Sequence, residues 1–331
     1  MVINKMILFA LQFFLSVLKF IKQKNLKRDE KDFMLWLILA LVGAVATSLT
    51  TIFAKIGIKN VNSDFATFFR TGIVIVCALL LTFITGSIYS IANLTVSNWL
   101  YLLLSGVCTG FSWLCYYKAL KLGNINKVAP IDKSSFVLTS ILFVIFFFND
   151  TTNNGNPLTI GMLALSIVLM LIGTVLMIDK KDVNSETSSK WLLYAILSSV
   201  FASLVSFFCK LGLSGISSDL GTLIRTVVVF VFAGAIVLAK KEYTSIKTTQ
   251  GKDWVFLTLS GLATGVAWLS EYYALNMNGV NPVAVNSIGK LSILLTMCFS
   301  FLVLKEKFSK KSVIGLALLT AGIILIIVFS L

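Results

Sequence analysis

One internal repeat covers most of this chain and constrains its fold more than any other feature. Residues 36–178 recur as residues 191–328 at an offset of 155 positions, apart from one two-residue gap. Residues 99–120 and 254–275 are identical at 12 of 22 positions. The identities include tryptophan, glycine and charged residues, which apolar composition alone would not repeat. We interpret the repeat as a duplication.

The composition places both copies in a membrane. Hydrophobic residues make up 57% of the chain and charged residues 13%, too little polar surface for a water-soluble fold. Ten apolar runs reach the length of about 20 residues that crosses a bilayer as a helix. They are 34–54, 65–85, 98–120, 128–148, 158–178, 191–213, 220–239, 254–276, 282–304 and 312–330. The sequence predicts an all-α, multi-pass protein of the cell membrane, inner or plasma, with about ten transmembrane helices.

Each repeat holds five runs, and this odd number predicts the architecture. The second copy must begin on the opposite side of the membrane, so the two repeats are inverted relative to each other. Inverted repeats are typical of secondary transporters, which bind substrate near the midplane between the repeats. The predicted divisions are an N-terminal hydrophobic segment with a basic linker (1–33), a first repeat (34–178), an inter-repeat linker (179–190) and a second repeat (191–331).

Two features at the edges of the repeats remain open. The apolar stretch 6–21 is compatible with an interfacial anchor, an eleventh helix or a start further along the chain. Lysines in the loops after the fifth, seventh and ninth runs indicate that these loops are cytoplasmic. The basic residues between positions 22 and 31 would then lie outside, so the lysines leave the orientation undecided.

Charge and residue usage exclude several function classes. The 28 Lys and Arg against 14 Asp and Glu lie mostly in short loops, where they meet lipid headgroups, so we expect no nucleic-acid partner. The chain has no histidine, and its five cysteines lie in apolar runs without CxxC spacing. HExxH and GxSxG motifs are missing from the sequence. We therefore expect no enzymatic activity, no metal site and no cofactor.

Two lysines are candidates for substrate binding. Lys133 lies in PIDKSSFVLT and Lys290 in SIGKLSILLT, and these segments align once the two-residue gap is allowed. Charges inside a membrane helix are costly and need a functional or structural reason. Lysines on two symmetry-related helices converge on the central axis, where they could bind a carboxylate or phosphate. The alternative is that both side chains snorkel to the interface.

Two acidic residues are also well placed within the runs. Glu271 stands where the first repeat has Tyr116, and the second acidic residue is Asp132. Glu271 and Lys290 lie ten residues before and nine residues after the turn at Asn281, hence at similar depth. We expect them to be within reach of each other and to form a switchable pair. The alternative is a purely structural ion pair.

Repeated arginines and terminal lysines complete the charged set. Arg70 and Arg225 follow Asp64 and Asp219, which we interpret as helix N-caps. Each arginine could face a cavity or snorkel to the membrane surface. Lys210 ends the sixth run, so we expect it at the interface.

Aromatic residues form a repeated stripe in the third and eighth runs. Its members are Trp113, Tyr116 and Tyr117 in the first copy, and Trp268, Tyr272 and Tyr273 in the second. Their spacing of three to four places them on one helix face, where they could line a ligand cavity or only pack. The same runs contain GxxxG pairs, Gly106/Gly110 and Gly261/Gly265, which indicate close helix packing.

These motifs resemble a known family. Residues 113–123 read WLCYYKALKLG and residues 128–135 read VAPIDKSS, as in short five-helix members of the EamA domain of the drug/metabolite transporter superfamily. The second repeat keeps the family's Lys-Glu-Lys ending at 305–307, whereas the first has Asn-Asp-Thr-Thr at 149–152. The resemblance implies a ten-helix carrier that works by alternating access, often exporting amino acids or other metabolites, with both termini in the cytoplasm.

The sequence thus predicts a secondary transporter of a small anionic or zwitterionic metabolite, operating as an exporter. Its expected partners are this small-molecule substrate, protons or a counter-substrate, and membrane lipid. The alternative is a channel, a lipid-handling protein or an accessory membrane protein without carrier activity. The candidate substrate-binding residues are Lys133, Lys290, Glu271, Asp132, Trp113, Tyr117, Trp268, Tyr272, Arg70 and Arg225.

Overall fold

The structure is a computed structural model that describes most of the two repeats. The described residues are 28–57, 61–122, 131–132, 134–152, 155–176, 190–247, 249–293, 295–296 and 310–329. The predicted hydrophobic stretch 6–21 lies outside them. The helices of the first repeat are α1 (Arg28–Gly57), α2 (Ser63–Thr85), α3 (Val96–Leu122), α4 (Ser135–Phe146), α5 (Phe148–Thr152) and α6 (Pro157–Leu176). Those of the second are α7 (Lys190–Gly212), α8 (Ser218–Ala239), α9 (Gly251–Asn276), α10 (Pro282–Gly289) and α11 (Lys310–Phe329).

The helices confirm an all-α, multi-pass membrane protein. Among the described residues, six helices are long and apolar enough to cross a bilayer, namely α1, α2, α3, α6, α7 and α8. Two shorter apolar segments lie in α4 and α11. Helix α9 has 26 residues, which is also long enough to span, although it is not one of these six. The described part of the chain contains no β-strand.

Contacts between α2 and α8 show that the repeats are inverted. Asp64 at the start of α2 forms an ion pair with Lys240, directly after the end of α8. Asp219 at the start of α8 accepts hydrogen bonds from Thr85 at the end of α2 (2.6 Å) and from Ser87 (2.5 Å). These equivalent helices therefore run antiparallel, as the odd number of runs predicts.

The two repeats interlock through reciprocal contacts. Helix α1 packs against α9, and its equivalent α7 packs against α3. The Ser260 hydroxyl donates to the Thr50 carbonyl at 2.8 Å, and the Ser105 hydroxyl donates to the Val205 carbonyl at 2.8 Å. Each residue of the second pair is related to one of the first by the 155-residue offset. The duplication thus built one interface twice, once on each side of the pseudo-symmetry axis.

Glycines allow the helices of opposite repeats to approach closely. A Cβ atom on Gly106 would lie 2.6 Å from Val228 Cβ, and one on Gly261 would lie 2.8 Å from Ile73 Cβ. Both distances are too short for real carbon atoms, so only glycine fits. The close packing that the GxxxG pairs predict is confirmed at two contacts, Gly106 with Val228 and Gly261 with Ile73. In a membrane such close packing, rather than exclusion of water, holds helices together.

The largest hydrophobic core joins both repeats. It contains Trp36 of α1, Phe143 of α4, Met170 of α6, Phe207 of α7 and Ile323 of α11, together with residues of α9 and α10. Phe143, Met170 and Ile323 are fully buried. This core includes α9 and α10, two of the helices that carry the candidate site.

The ninth predicted span is not one continuous helix. Helix α10 ends at Gly289, Lys290 lies in a turn, and a helix resumes at residue 291. The Ser292 hydroxyl donates to the Gly289 carbonyl at 2.7 Å, giving that carbonyl a partner at the break. In the first repeat a turn at Ser134 precedes α4, and Lys133 lies outside the described residues. Within the described residues, turns at Ser134 and Lys290 therefore interrupt the predicted fourth and ninth spans, 128–148 and 282–304.

The N-cap assignments are also corrected. Asn62 caps α2, because its side-chain oxygen accepts a hydrogen bond from the Asp64 amide at 2.8 Å. Ser217 occupies the N-cap position of α8. Asp64 and Asp219 instead lie in the first turn of each helix, and their carboxylates face the other repeat.

Candidate functional site

Arg225 is a buried cation at the interface of the two repeats. It lies about two turns into α8 and is 1% exposed. Its Nε donates to the Ser105 hydroxyl at 2.9 Å and its Nη2 to the Thr109 hydroxyl at 3.0 Å. Both hydroxyls belong to α3 of the first repeat. Arg225 therefore does not snorkel, and one repeat holds the side chain that the other supplies.

Two aromatic rings cover the guanidinium group. Its central carbon lies 4.7 Å from the ring centroid of Trp268 and 5.0 Å from that of Tyr272. These residues are four apart on α9, hence on one face, as the stripe predicts. Tyr272 is buried. The contacts are cation–π interactions, which orient the guanidinium plane as well as stabilise its charge.

One end of the guanidinium group has no hydrogen-bond acceptor within the described part of the chain. Nη1 of Arg225 is buried and lacks an acceptor there. The hydroxyls of Ser105 and Thr109 already donate to the carbonyls of Val205 and Ser105, so the donor–acceptor roles on the α3 side are fixed. Burying a charge costs several kcal/mol unless an opposite charge offsets the cost. The Nη1 end is therefore suited to an anion.

Glu271 adds a carboxylate beside this cation. It is half-buried on α9, next to Tyr272, and its backbone packs against Gly43 of α1. The charges of Lys290 and Arg225 both act on the Glu271 carboxyl, Lys290 more strongly. We call Arg225, Trp268, Glu271, Tyr272 and Lys290 the second-repeat cluster. It brings together five of the ten candidates that the sequence predicts.

The first repeat presents a related but different arrangement around Arg70. The Arg70 Nη2 donates to the Thr264 hydroxyl at 3.3 Å, which repeats the Arg225–Thr109 contact across the offset. Thr264 is also 3.2 Å from the hydroxyl of Thr50. Arg70 is half-buried, unlike Arg225. Trp113 on α3 is half-buried too, while the side chains of Tyr117 and Lys133 lie outside the described residues.

Asp132 forms a hydrogen bond with α7 of the second repeat and is not part of the second-repeat cluster. It accepts a hydrogen bond from the Ser198 hydroxyl of α7 at 2.8 Å, and Ser198 in turn bonds Ser112 of α3. Tyr116, which occupies the position of Glu271, packs against a small apolar cluster around Ala119 and Ala195. The two repeats therefore use equivalent positions for packing in one case and for charge in the other.

Three contributing residues are missing from the predicted set. Ser105 and Thr109 hold Arg225, and their recurrence as Ser260 and Thr264 is the signal that could have found them. Lys210, which we predict at the interface, donates from its ammonium to the Leu275 carbonyl and lies 5.9 Å from the Phe147 ring centroid. Nothing in the local sequence indicates that contact.

One aromatic residue of the predicted stripe turns away from the cluster. Tyr273 is 51% exposed, since it lies beyond the helix face that Trp268 and Tyr272 share. The stripe thus divides into a buried pair over Arg225 and an outward-facing residue.

Comparison with known proteins agrees with this fold. The EamA-like transporter family matches residues 34–178 and 189–328 of the chain. A crystal structure with 14% sequence identity superposes with a TM-score of 0.65, over 87% of this chain and 94% of the solved chain. At that identity the similarity shows the fold alone.

A curated relative has the size of one repeat. The protein, from Sinorhizobium sp., is named an uncharacterized transporter in the cobO 3′ region. It is 41% identical over 142 residues, which is 43% of this chain and 99% of the relative. One such protein thus corresponds to about half of this chain. With both repeats matched, the chain belongs to the EamA-like transporter family and is a multi-pass membrane transporter.

Proposed function

We propose that this protein is a secondary carrier that exports a small metabolite bearing a carboxylate, an amino acid or another anionic or zwitterionic solute. The observation that carries the proposal is the buried Nη1 end of Arg225 at the interface of the two repeats. A carboxylate there would offset the cost of the buried charge. A carrier rather than an enzyme is the role we assign.

The surroundings of Arg225 favour a carboxylate over other ligands. A guanidinium group binds carboxylates through strong charge-assisted hydrogen bonds, and the buried Nη1 of Arg225 has no acceptor among the described residues. The rings of Trp268 and Tyr272 would contact the apolar part of the solute. A lipophilic cation would instead be repelled by Arg225, unless Glu271 alone held it.

Alternating access would use the reciprocal contacts at the two ends of α2 and α8. One end is closed by the Asp64–Lys240 ion pair and the other by hydrogen bonds from Thr85 and Ser87 to Asp219. Because the repeats are inverted, these contacts lie towards opposite membrane faces. We propose that the contacts at one end break while those at the other end remain, which opens the second-repeat cluster to one side of the membrane at a time.

Glu271 would couple transport to a second species. With the site empty, its carboxylate would stabilise the positive charges of Arg225 and Lys290. A substrate carboxylate competes for the same cations, and a proton on Glu271 favours that exchange. Protons are therefore the coupling species we propose, and a counter-substrate anion is the alternative for the same position.

Solute counterflow in proteoliposomes tests the carrier. Vesicles loaded with one unlabelled solute at a time, from a panel of amino acids, monocarboxylates and dicarboxylates, are diluted into trace labelled solute. A carrier gives a transient overshoot of label that saturates with concentration, and we expect one for at least one carboxylate. Flux without overshoot or saturation would indicate a channel, and flux of neutral amines only would overturn the carboxylate assignment.

The direction is tested in cells. Cells that overproduce the protein and are preloaded with the identified solute should lose it faster than cells with the Arg225→Met variant. Faster accumulation in place of loss would reverse the assigned direction.

A further inference from the structure

A pocket lies at the face where α7 and α9 end. Its volume is about 460 Å³, large enough for a small metabolite. The lining includes Phe147, Asp150, Lys210, Ile216, Asn276 and Asn278. None of the residues lining it belongs to the second-repeat cluster.

The wall of this pocket is held in place by two asparagine amides. The Asn98 side chain donates to the carbonyls of Gly212 and Ser214, each at 2.9 Å. The Asn276 side chain donates to the Ile216 carbonyl at 2.8 Å. These bonds fix the connection between α7 and α8, which includes Gly215 with a φ of 74°. A pocket with a fixed wall loses little conformational entropy when it binds a ligand.

The pocket contains one cation and one anion. The Lys210 ammonium donates to the Leu275 carbonyl, and an ammonium group has three protons to donate. The carboxylate of Asp150 on α5 is exposed, lines the same pocket and interacts electrostatically with Lys210. The arrangement complements a ligand with a carboxylate at one end and an ammonium group at the other.

The pocket also lies close to the second-repeat cluster. The Lys210 ammonium donates to the Leu275 carbonyl, and Leu275 follows Tyr272 by three residues on α9. The Tyr272 ring centroid lies 5.0 Å from the central carbon of the Arg225 guanidinium. A single turn of α9 therefore connects the carbonyl that Lys210 binds with a ring that covers Arg225.

We propose that the Lys210 pocket is an outer binding site of the transport pathway. It takes the carboxylate of a small zwitterionic solute on Lys210 and its ammonium group on Asp150, before the carboxylate moves to Arg225. Asp150 then sets specificity, because it disfavours dicarboxylates and favours zwitterions. The placement of this site on a transport pathway rests on the proposed function, whereas binding in the pocket is measurable by itself.

Binding to the purified full-length chain tests the site. The probes are the twenty standard L-amino acids, each measured by thermal stabilisation, with acetate, propionate and ethylamine as single-charge controls. We expect at least one amino acid to bind, and Lys210→Met and Asp150→Asn to weaken its Kd at least 10-fold. Lys210→Arg, which retains the charge, should keep binding within a few-fold and shows that the position tolerates substitution. Lys252→Met, on the exposed start of α9, is the matched control and should bind like the wild type.

Stoichiometry separates the outer site from the central one. Equilibrium dialysis of the selected amino acid should give two sites per wild-type chain, one in Arg225→Met and one in Lys210→Met. Asp150→Asn should leave propionate binding unchanged, because propionate lacks the ammonium group. Wild-type affinity in both pocket variants, or no binding by any of the twenty amino acids, would overturn the proposal. If Lys210→Met and Asp150→Asn lost pocket binding while the wild type showed no counterflow, the binding site would stand and the carrier function would be rejected.

Discussion

Arg70 and Arg225 occupy equivalent positions in the two repeats, yet their surroundings differ. Each donates from Nη2 to a threonine of the opposite repeat. Arg225 is fully buried beneath Trp268 and Tyr272, whereas Arg70 is half-buried. The duplication therefore supplied the same arginine–threonine contact twice, and of these two arginines only that of the second repeat is fully buried. Residues that are the same in both repeats identify the shared packing. Residues that differ identify where the second repeat has become specialised.

The clearest difference is Glu271, which stands opposite Tyr116. We expect Glu271→Gln to reduce proton-gradient-driven transport by on the order of 100-fold, because the amide cannot take up the coupling proton. Tyr116→Phe is the matched substitution in the first repeat and should leave the rate within a few-fold. Uptake under an imposed pH gradient measures both variants. Equal coupling in wild type and Glu271→Gln would return Glu271 to a structural role.

Lys290 is the next test, since it lies at the break after α10. Lys290→Ala should raise the KM for a carboxylate solute about 10-fold, because one of the two cations near Glu271 is lost. The same substitution at Lys252, exposed at the start of α9, serves as the control. If KM stayed constant and only the melting temperature fell, Lys290 would be a structural partner of Glu271.

The contacts of Gly106 and Gly261 test whether the two repeats pack alike. Gly106→Leu and Gly261→Leu should each destabilise the protein by about 1–3 kcal/mol, because the new side chains would overlap Val228 and Ile73. Unfolding in mixed detergent micelles measures the change. Similar losses of stability in the two variants would show that the two glycine contacts are equivalent. A loss confined to one variant would show that the two interfaces have diverged in packing as well as in charge.

The smallest expected effect concerns the ends of α2 and α8. Burial and the neighbouring carboxylate of Asp64 raise the pKa of Glu242 above its ordinary value of 4.5. A raised folded-state pKa means that Glu242 favours folding at low pH and that this contribution is lost as the pH rises through the raised value. Glu242→Gln should therefore melt at a higher temperature than the wild type at pH 7 but not at pH 4.

The equivalent position in the first repeat provides the control for this pH effect. Ser87 donates to Asp219 and carries no titrating group. Ser87→Ala removes a hydrogen bond to the Asp219 carboxylate, so at pH 7 it should lower the melting temperature rather than raise it. A higher melting temperature at pH 7 in that variant as well would assign the effect of Glu242→Gln to another group.

Much of this account could be predicted from the sequence because the repeat is unusually direct evidence. Helix type, membrane location and inversion follow from apolar run length and an odd number of runs. The offset also identified Arg70 and Arg225 as a pair. It could not show that one is buried under aromatic rings, since that depends on how α8 packs between α3 and α9.

The remaining differences have local physical causes. The turn at Lys290 depends on a serine side chain bonding a backbone carbonyl, which a hydropathy pattern does not record. Asp64 and Asp219 resemble N-caps because they precede apolar runs, but Asn62 and Ser217 begin the helices two residues earlier. Lys210 is predicted at the interface because it ends an apolar run, but run length does not record its contact with the Leu275 carbonyl.

The most direct test of the central claim compares Arg225→Met with Arg70→Met in the same counterflow assay. Because we propose that Arg225 binds the solute carboxylate, its variant should lose roughly 100-fold in the initial rate at subsaturating solute, as expected for a lost buried charge contact. Arg70→Met should lose less than about 10-fold. Circular dichroism and melting temperature establish that both variants are folded. Equal losses in the two variants, or counterflow at the wild-type rate in Arg225→Met, would contradict the specialisation of the second repeat.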